Sequence, residues 1–184
     1  MKKIFFISIA FLALSVQAVE TKFGIGYINS DLKVNLLPDI STGSLELSYL
    51  VGYDNGLAAE VGVAFGVVDD DFSFGADTVT VEAKTSYYLR GIYNFNDTFF
   101  VNATWLDTEI GAEWTGNNFA ALEAKESDSD LGYGIGANIA LPNSEAVIRI
   151  SYNSFDFGPA DLDQISIKYL FWFLNKTESV IWKK

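Results

Sequence analysis

Along most of the chain, apolar side chains alternate one by one with small or polar ones, the period of a β-strand rather than of a helix. From Ser44 to Tyr53, one face carries Leu45, Leu47, Tyr49, Val51 and Tyr53, and the other carries Ser44, Glu46, Ser48, Leu50 and Gly52. From Leu57 to Val67, the odd positions are Leu57, Ala59, Val61, Val63, Phe65 and Val67, against Ala58, Glu60, Gly62, Ala64 and Gly66. Asp54-Asn55-Gly56 separates the two runs. Asn-Gly in that setting predicts a hairpin turn, because both residues tolerate positive φ. The same alternation recurs over Val79–Tyr93, Phe99–Trp114, Leu131–Leu141, Ile148–Asn153 and Ile165–Phe173, and over a shorter first run, Phe23–Ile28. Together these runs predict about eight antiparallel strands.

The placement of charge separates a membrane barrel from a soluble one. Over these runs, with Val101, Ala103 and Trp105 standing for the one that starts at Phe99, the large apolar-face residues include no Asp, Glu, Lys or Arg. The strand charges sit on the small-residue face: Glu46, Glu60, Glu82, Lys84, Arg90, Arg149 and Lys168. That face is otherwise rich in Gly, Ser, Ala and Asn, which solubilise an exterior poorly and fit a cramped lumen. Alternating segments of about 10 residues are the signature of a transmembrane β-barrel, and lipid leaves no partner for an open sheet edge. The expected fold is an all-β, antiparallel up-and-down transmembrane barrel whose charged residues form a paired lumen network. A soluble periplasmic barrel binding a lipid remains the alternative if the apolar faces point inward.

Connector lengths alternate too. Those near 54–56, 94–98 and 142–145 are short; those near 29–42, 68–78, 115–130 and 157–163 are longer and more acidic. Short periplasmic turns and longer external loops follow, with both ends of the mature chain in the periplasm. Tyr53, Tyr93, Phe95, Phe99 and Phe173 gather on the short-turn side, as an interfacial aromatic girdle does.

The N-terminus reads as a targeting segment. Lys2 and Lys3 precede the apolar run Ile4–Leu14, and Ser15-Val16-Gln17-Ala18 offers a cleavage site after Ala18. Residues 1–18 are then a signal peptide, 19–173 the barrel and 174–184 a short periplasmic tail. Cleavage takes the net charge from −12 to −14 by removing Lys2 and Lys3.

Candidate chemistry is sparse. The 184 residues contain no Cys and no His. Thiol chemistry is absent, and a Ser or water nucleophile has no imidazole to activate it. Glu109 and Glu113 could in principle form a glycosidase pair, but a strand leaving the membrane for an acidic loop is the better reading. Asp69-Asp70-Asp71 and the run Glu123–Asp130 could hold Ca²⁺ or Mg²⁺ through carboxylates, yet no spacing matches a defined calcium loop. Gly24-Ile25-Gly26 and Gly132-Tyr133-Gly134-Ile135-Gly136 lack the strand-turn-helix setting of a nucleotide fingerprint and read as small lumen-facing residues. No cofactor is expected. The acidic balance argues against nucleic acid, which is bound by Lys and Arg.

The last run, Asp161 to Phe173, with Ile165, Ile167, Tyr169, Phe171 and Phe173 on one face, resembles the closing strand of the small outer-membrane β-barrel family. That family includes the transmembrane domain of outer membrane protein A, outer membrane protein X and the opacity adhesins. Leu131–Ala140 and Val147–Gly158 look like its sixth and seventh strands. The resemblance implies an outer-membrane location, surroundings of outer-membrane lipid and lipopolysaccharide, and assembly by the barrel-assembly machinery, which reads such a closing strand. The resemblance is specific for fold and says little of activity; the expected role is structural or surface-interacting, with external loops touching lipopolysaccharide, host surfaces or other ligands, and the alternative is a narrow porin-like ion path through the lumen charges. This sequence departs from the family at Lys168, where Gly is frequent, and in continuing beyond Phe173 through Leu174–Lys184.

Overall fold

A computed structural model describes residues 20–34, 38–75, 77–116, 119–158 and 160–172. The expected signal peptide, Phe173 and the tail lie outside the described residues. The strands are β1 (Glu20–Val34), β2 (Ile40–Gly52), β3 (Leu57–Val68), β4 (Asp70–Phe74), β5 (Asp77–Asn94), β6 (Phe99–Gly116), β7 (Phe119–Ala140), β8 (Val147–Asp156) and β9 (Ala160–Phe171). Each pairs antiparallel with its neighbour. Pairing of β3 with β5 and of β1 with β9 closes an up-and-down ring of eight, with β4 as a side strand on β5. Closure leaves no free edge in the ring, which lipid demands.

The apolar faces point outward. Ile25, Leu47, Ile135, Ile139, Ile165 and Ile167 are 47–62% exposed, while their strand neighbours Gly24, Glu46, Ser48 and Ser166 are buried. An apolar belt of this size in contact with solvent is unfavourable in water at about 25 cal/mol per Å², and it fits a bilayer. The barrel is therefore transmembrane, and the inward-facing arrangement that a soluble lipid carrier requires is excluded. At the short-turn end Tyr93, Phe95 and Phe99 are 47–59% exposed, with Tyr93 and Phe95 edge to face at 5.5 Å.

Two local expectations are corrected. Only Gly56 takes positive φ in the first turn (81°); Asn55 does not. Tyr53 N–H donates to Leu57 O at 2.9 Å, and Gly56 N–H to Tyr53 O at 3.2 Å. Asn55 Oδ1 accepts from Leu57 N–H at 3.1 Å. The connector is thus a longer hairpin loop with a single left-handed Gly. Secondly, the expected long loop at 115–130 is strand. β6 and β7 pair as far as Gly116 and Phe119, whereas β8 joins β7 only from Tyr133 onward. The outer ends of β5, β6 and β7, edged by β4, form a sheet that rises beyond the ring.

Candidate functional site

The lumen is layered. At its centre Glu46, Glu60, Arg90, Arg149 and Lys168 are all at most 4% exposed. Sheet register explains the meeting. Glu60 and Arg90 are direct cross-strand partners on β3 and β5, and Arg90 Nη1 donates to Glu60 Oε2 at 3.2 Å. Glu46, Gly26 and Lys168 stand in one row across β2, β1 and β9. Gly26 is the reason Lys168 crosses that row to reach Glu46 Oε2 at 3.2 Å. A Cβ on Gly26 would sit 2.7 Å from Glu46 Oε1 and 3.0 Å from Lys168 Cα. Lys168 Nζ also donates to Glu60 Oε1 at 2.5 Å and to Tyr88 Oη at 2.9 Å. Arg149, beside Lys168 in register, shares Glu60, with Nη1 3.7 Å from Oε2. Glu60 thus holds apart three cations that would otherwise repel one another.

Uncharged groups complete the centre. Tyr88 Oη donates to Glu46 Oε2 at 3.0 Å, and its ring lies 4.9 Å from the Arg90 guanidinium. Arg90 Nε donates to Thr104 Oγ1 at 2.9 Å, and Thr104 to Asn102 Oδ1 at 2.9 Å. Arg149 Nε donates to Asn138 Oδ1 at 2.9 Å, and its guanidinium sits 4.7 Å from the Phe100 ring. Gly62 gives the Tyr88 ring its place, since any Cβ there would overlap it. Inward parity marks these polar residues in the sequence, but without charge they do not stand out from lining.

Apolar layers bound this centre on both sides. Toward the turns, Leu50, Ala58, Ile92 and Phe100 pack together. Toward the rising sheet, Leu106, Phe155 and Leu162 pack with Tyr88, joined by Leu32 and Phe157. A cavity on that side, bordered by Tyr88, Arg90, Leu106 and Gln164, measures about 30 Å³, room for a water or two. At the turn end a vestibule of about 300 Å³ lies between Lys22, Leu50, Asp54, Asp97, Arg149 and Leu170.

Glu82 and Lys84 do not join the centre. The β5–β6 register slips between Ala83 and Ser86, a β-bulge, which reverses facing along a strand. Val81 and Ala83 therefore line the same cavity as Ser86 and Tyr88. Glu82 and Lys84 face outward and pair with each other, with about a third of each side chain exposed. Of the closing-strand residues, Ile165, Ile167 and Tyr169 are exposed on the outer face at 43–55%, Tyr169 and Phe171 stack at 5.6 Å, and Phe173 lies outside the described residues.

The rising end is acidic. Asp70 and Asp71 on β4, Asp107, Glu109 and Glu113 on β6, and Glu123, Glu126, Asp128 and Asp130 on β7 all lie there. Its lysines are each taken by a carboxylate: Lys33 by Asp163 at 2.7 Å, Lys125 by Glu123 at 2.8 Å, and Lys84 by Glu82. Above the apolar belt, hydrogen bonds from Lys33 and Tyr152 hold the Asp163 carboxyl down to about 2. The Lys125 ammonium lowers Glu123 in the same way. Glu109 and Glu113 are four residues apart on one strand, about 13 Å at ~3.3 Å per residue, beyond either carboxylate spacing used to cleave glycosides. Among the described residues no three acids converge as a metal site.

Comparison with protein-family models and with curated proteins finds no match. Solved structures do match. The attachment invasion locus protein Ail of Yersinia pestis superposes with a TM-score of 0.62 at 14% identity, over 82% of this chain and 96% of that one. Its complex with the heparin analogue sucrose octasulfate gives 0.60 at 12% identity, over the same shares of the two chains. Neisserial surface protein A gives 0.54 at 12% identity, over 83% of this chain and 97% of that one. The chain has the fold of the small outer-membrane β-barrel proteins.

Proposed function

We propose that this is a bacterial outer-membrane barrel that acts through its external sheet, as a non-catalytic surface-interaction protein, and that its lumen is structural. The observation that carries this reading is the contrast between the two ends of the fold: the lumen is filled by an ionic layer between two apolar ones, while β4 to β7 extend beyond the ring. A narrow ion path is the competing reading. It is disfavoured because an ion would have to shed water against both apolar layers, and desolvation costs several kcal/mol per ion.

Ail binds a heparin analogue, and an outer-membrane site brings this protein among lipopolysaccharide phosphates. A polyanion does not suit an external end whose lysines are already paired with carboxylates. The partner we expect there is cationic, whether a basic protein surface or divalent ions bridging to lipopolysaccharide. The outward apolar row Ile165, Ile167, Tyr169 and Phe171 serves as the signal read by the barrel-assembly machinery, and residues 1–18 direct secretion.

The test is binding of the purified barrel, in nanodiscs of zwitterionic lipid, to immobilised polylysine and to immobilised heparin. Retention on polylysine that disappears as salt rises is expected, since screening shortens the Debye length to about 3 Å at 1 M. Retention on heparin alone overturns the charge assignment. Discrete conductance steps in a planar bilayer overturn the structural reading of the lumen.

A further inference from the structure

Charge does not balance at the lumen centre. Arg90, Arg149 and Lys168 face Glu46 and Glu60, three cations against two carboxylates, and all five are buried. One positive charge is left over, and a buried charge is costly unless it is paired. The surplus falls on Arg149. Lys168 Nζ meets Glu60 at 2.5 Å and Glu46 at 3.2 Å, and Arg90 Nη1 donates to Glu60 at 3.2 Å. Arg149 Nη1 stands 3.7 Å from Glu60 and makes no hydrogen bond among the described residues. Of the five, Arg149 alone also lines the turn-end vestibule. Its guanidinium reaches that wall, because Asn138, which accepts from its Nε, lines the same pocket. The other lining residues set what can enter. Leu50, Ala58, Val147 and Leu170 supply apolar wall, and Lys22 is already paired with Glu20. Asp54 and Asp97 stand in the exposed turns at the mouth, and among the described residues neither has a salt-bridge partner.

We propose that the vestibule is a binding site for a small, singly charged carboxylate with a short apolar tail, held at its floor by the Arg149 guanidinium. One surplus positive charge accepts one negative charge. The planar guanidinium fork matches a carboxylate. The tail meets Leu50, Ala58, Val147 and Leu170, and each methylene it buries strengthens binding by about fourfold. A second carboxylate on the ligand would point at Asp54 and Asp97, so the mouth repels dianions. The volume of about 300 Å³ lies at the small end of ligand pockets and suits an acid of a few carbons. The site stands inside the ring of strands, out of reach of lipid tails, and it is separate from the acidic sheet at the other end of the barrel.

The test titrates butyrate, at neutral pH, into the isotope-labelled barrel in nanodiscs of phosphatidylcholine and follows the Asn138 side-chain amide by NMR. A saturable shift is expected, with a midpoint on the order of 1 mM for so small a ligand. Acetate, two methylenes shorter, should bind about tenfold more weakly, and succinate at least about tenfold more weakly than butyrate. Arg149→Gln should abolish the shift and stay folded, because it leaves two cations against two carboxylates; its heat-modifiable mobility checks the fold. Asp54→Asn/Asp97→Asn lies in the turns, outside the lumen packing, and should bring succinate to within about threefold of butyrate. No saturable shift up to about 50 mM butyrate overturns the proposal. So does an undiminished shift in Arg149→Gln, or succinate binding the unsubstituted barrel as tightly as butyrate. Loss of the folded form in Arg149→Gln contradicts the charge count and overturns it too.

Discussion

Lys168 is the residue on which the lumen centre depends most, and Lys168→Met tests this. The substitution keeps side-chain volume and removes one charge. In the native barrel the ammonium meets Glu60 at 2.5 Å, Glu46 at 3.2 Å and Tyr88 at 2.9 Å. Without it Glu60 keeps Arg90 and Arg149, but Glu46 keeps only the Tyr88 hydroxyl. Its other oxygen has no hydrogen-bond partner even in the native state. An uncompensated buried charge created by removing one partner costs about 3–5 kcal/mol. The second change Glu46→Gln removes that charge, so the double variant should lose only about 1–2 kcal/mol, the scale of hydrogen bonds given up. The assay is reversible urea unfolding of the barrel in phospholipid, followed by tryptophan emission and by gel mobility without boiling. The reasoning is refuted if Lys168→Met costs less than about 1 kcal/mol, or if Glu46→Gln fails to restore stability.

Arg90→Ala should destabilise more than the pair Glu60→Gln/Arg90→Ala, with different melting temperatures, because the single change leaves the Glu60 carboxylate short of a partner. Gly26→Val should cost about 2 kcal/mol or more and be non-additive with Lys168→Met, since both break the Lys168–Glu46 contact; additive losses in the same assay count against the shared row. Lys84→Gln should change stability by less than about 1 kcal/mol, as for an exposed ion pair; a loss like that of Lys168→Met would place it back in the lumen. The Lys33–Asp163–Tyr152 cluster should hold fully above the ordinary carboxylate range near 3.8 and weaken as pH falls toward about 2. NMR titration of Asp163 checks this, and a midpoint near 3.8 would refute it.

The barrel was legible because every strand in lipid must sort its residues by parity, so alternation encodes which side is wet. The same parity identified Glu46, Glu60, Arg90, Arg149 and Lys168, all of which meet in the centre. It failed at Glu82 and Lys84 because parity carries across a bulge only if the bulge is seen, and Lys84-Thr85 has no glycine or proline to mark it. The outer half of β7 was hidden for another reason. Glu123, Lys125, Asp128 and Asp130 have poor β-propensity, and pairing with β6 overrides that preference. Which cation meets which carboxylate is a matter of strand order and register around the ring, and no local pattern records it. Tyr88 illustrates this, since its role follows from standing opposite Gly62.

The bulge at Lys84-Thr85 works as a frameshift in the chain's inside–outside grammar. Below it, position fixes whether a residue meets lipid or lumen; above it, the assignment is inverted on β5. Mutations that add charge above that point therefore alter the exposed sheet and leave the lipid-facing code intact. Deleting Lys84 or Thr85 would shorten the three-residue step from Ala83 to Ser86 to a regular two, so the ladder to β6 would run on with Val81 and Ala83 still facing the lumen. By absorbing one residue, the bulge is thus what brings Val81 and Ala83, rather than Glu82 and Lys84, into the lumen.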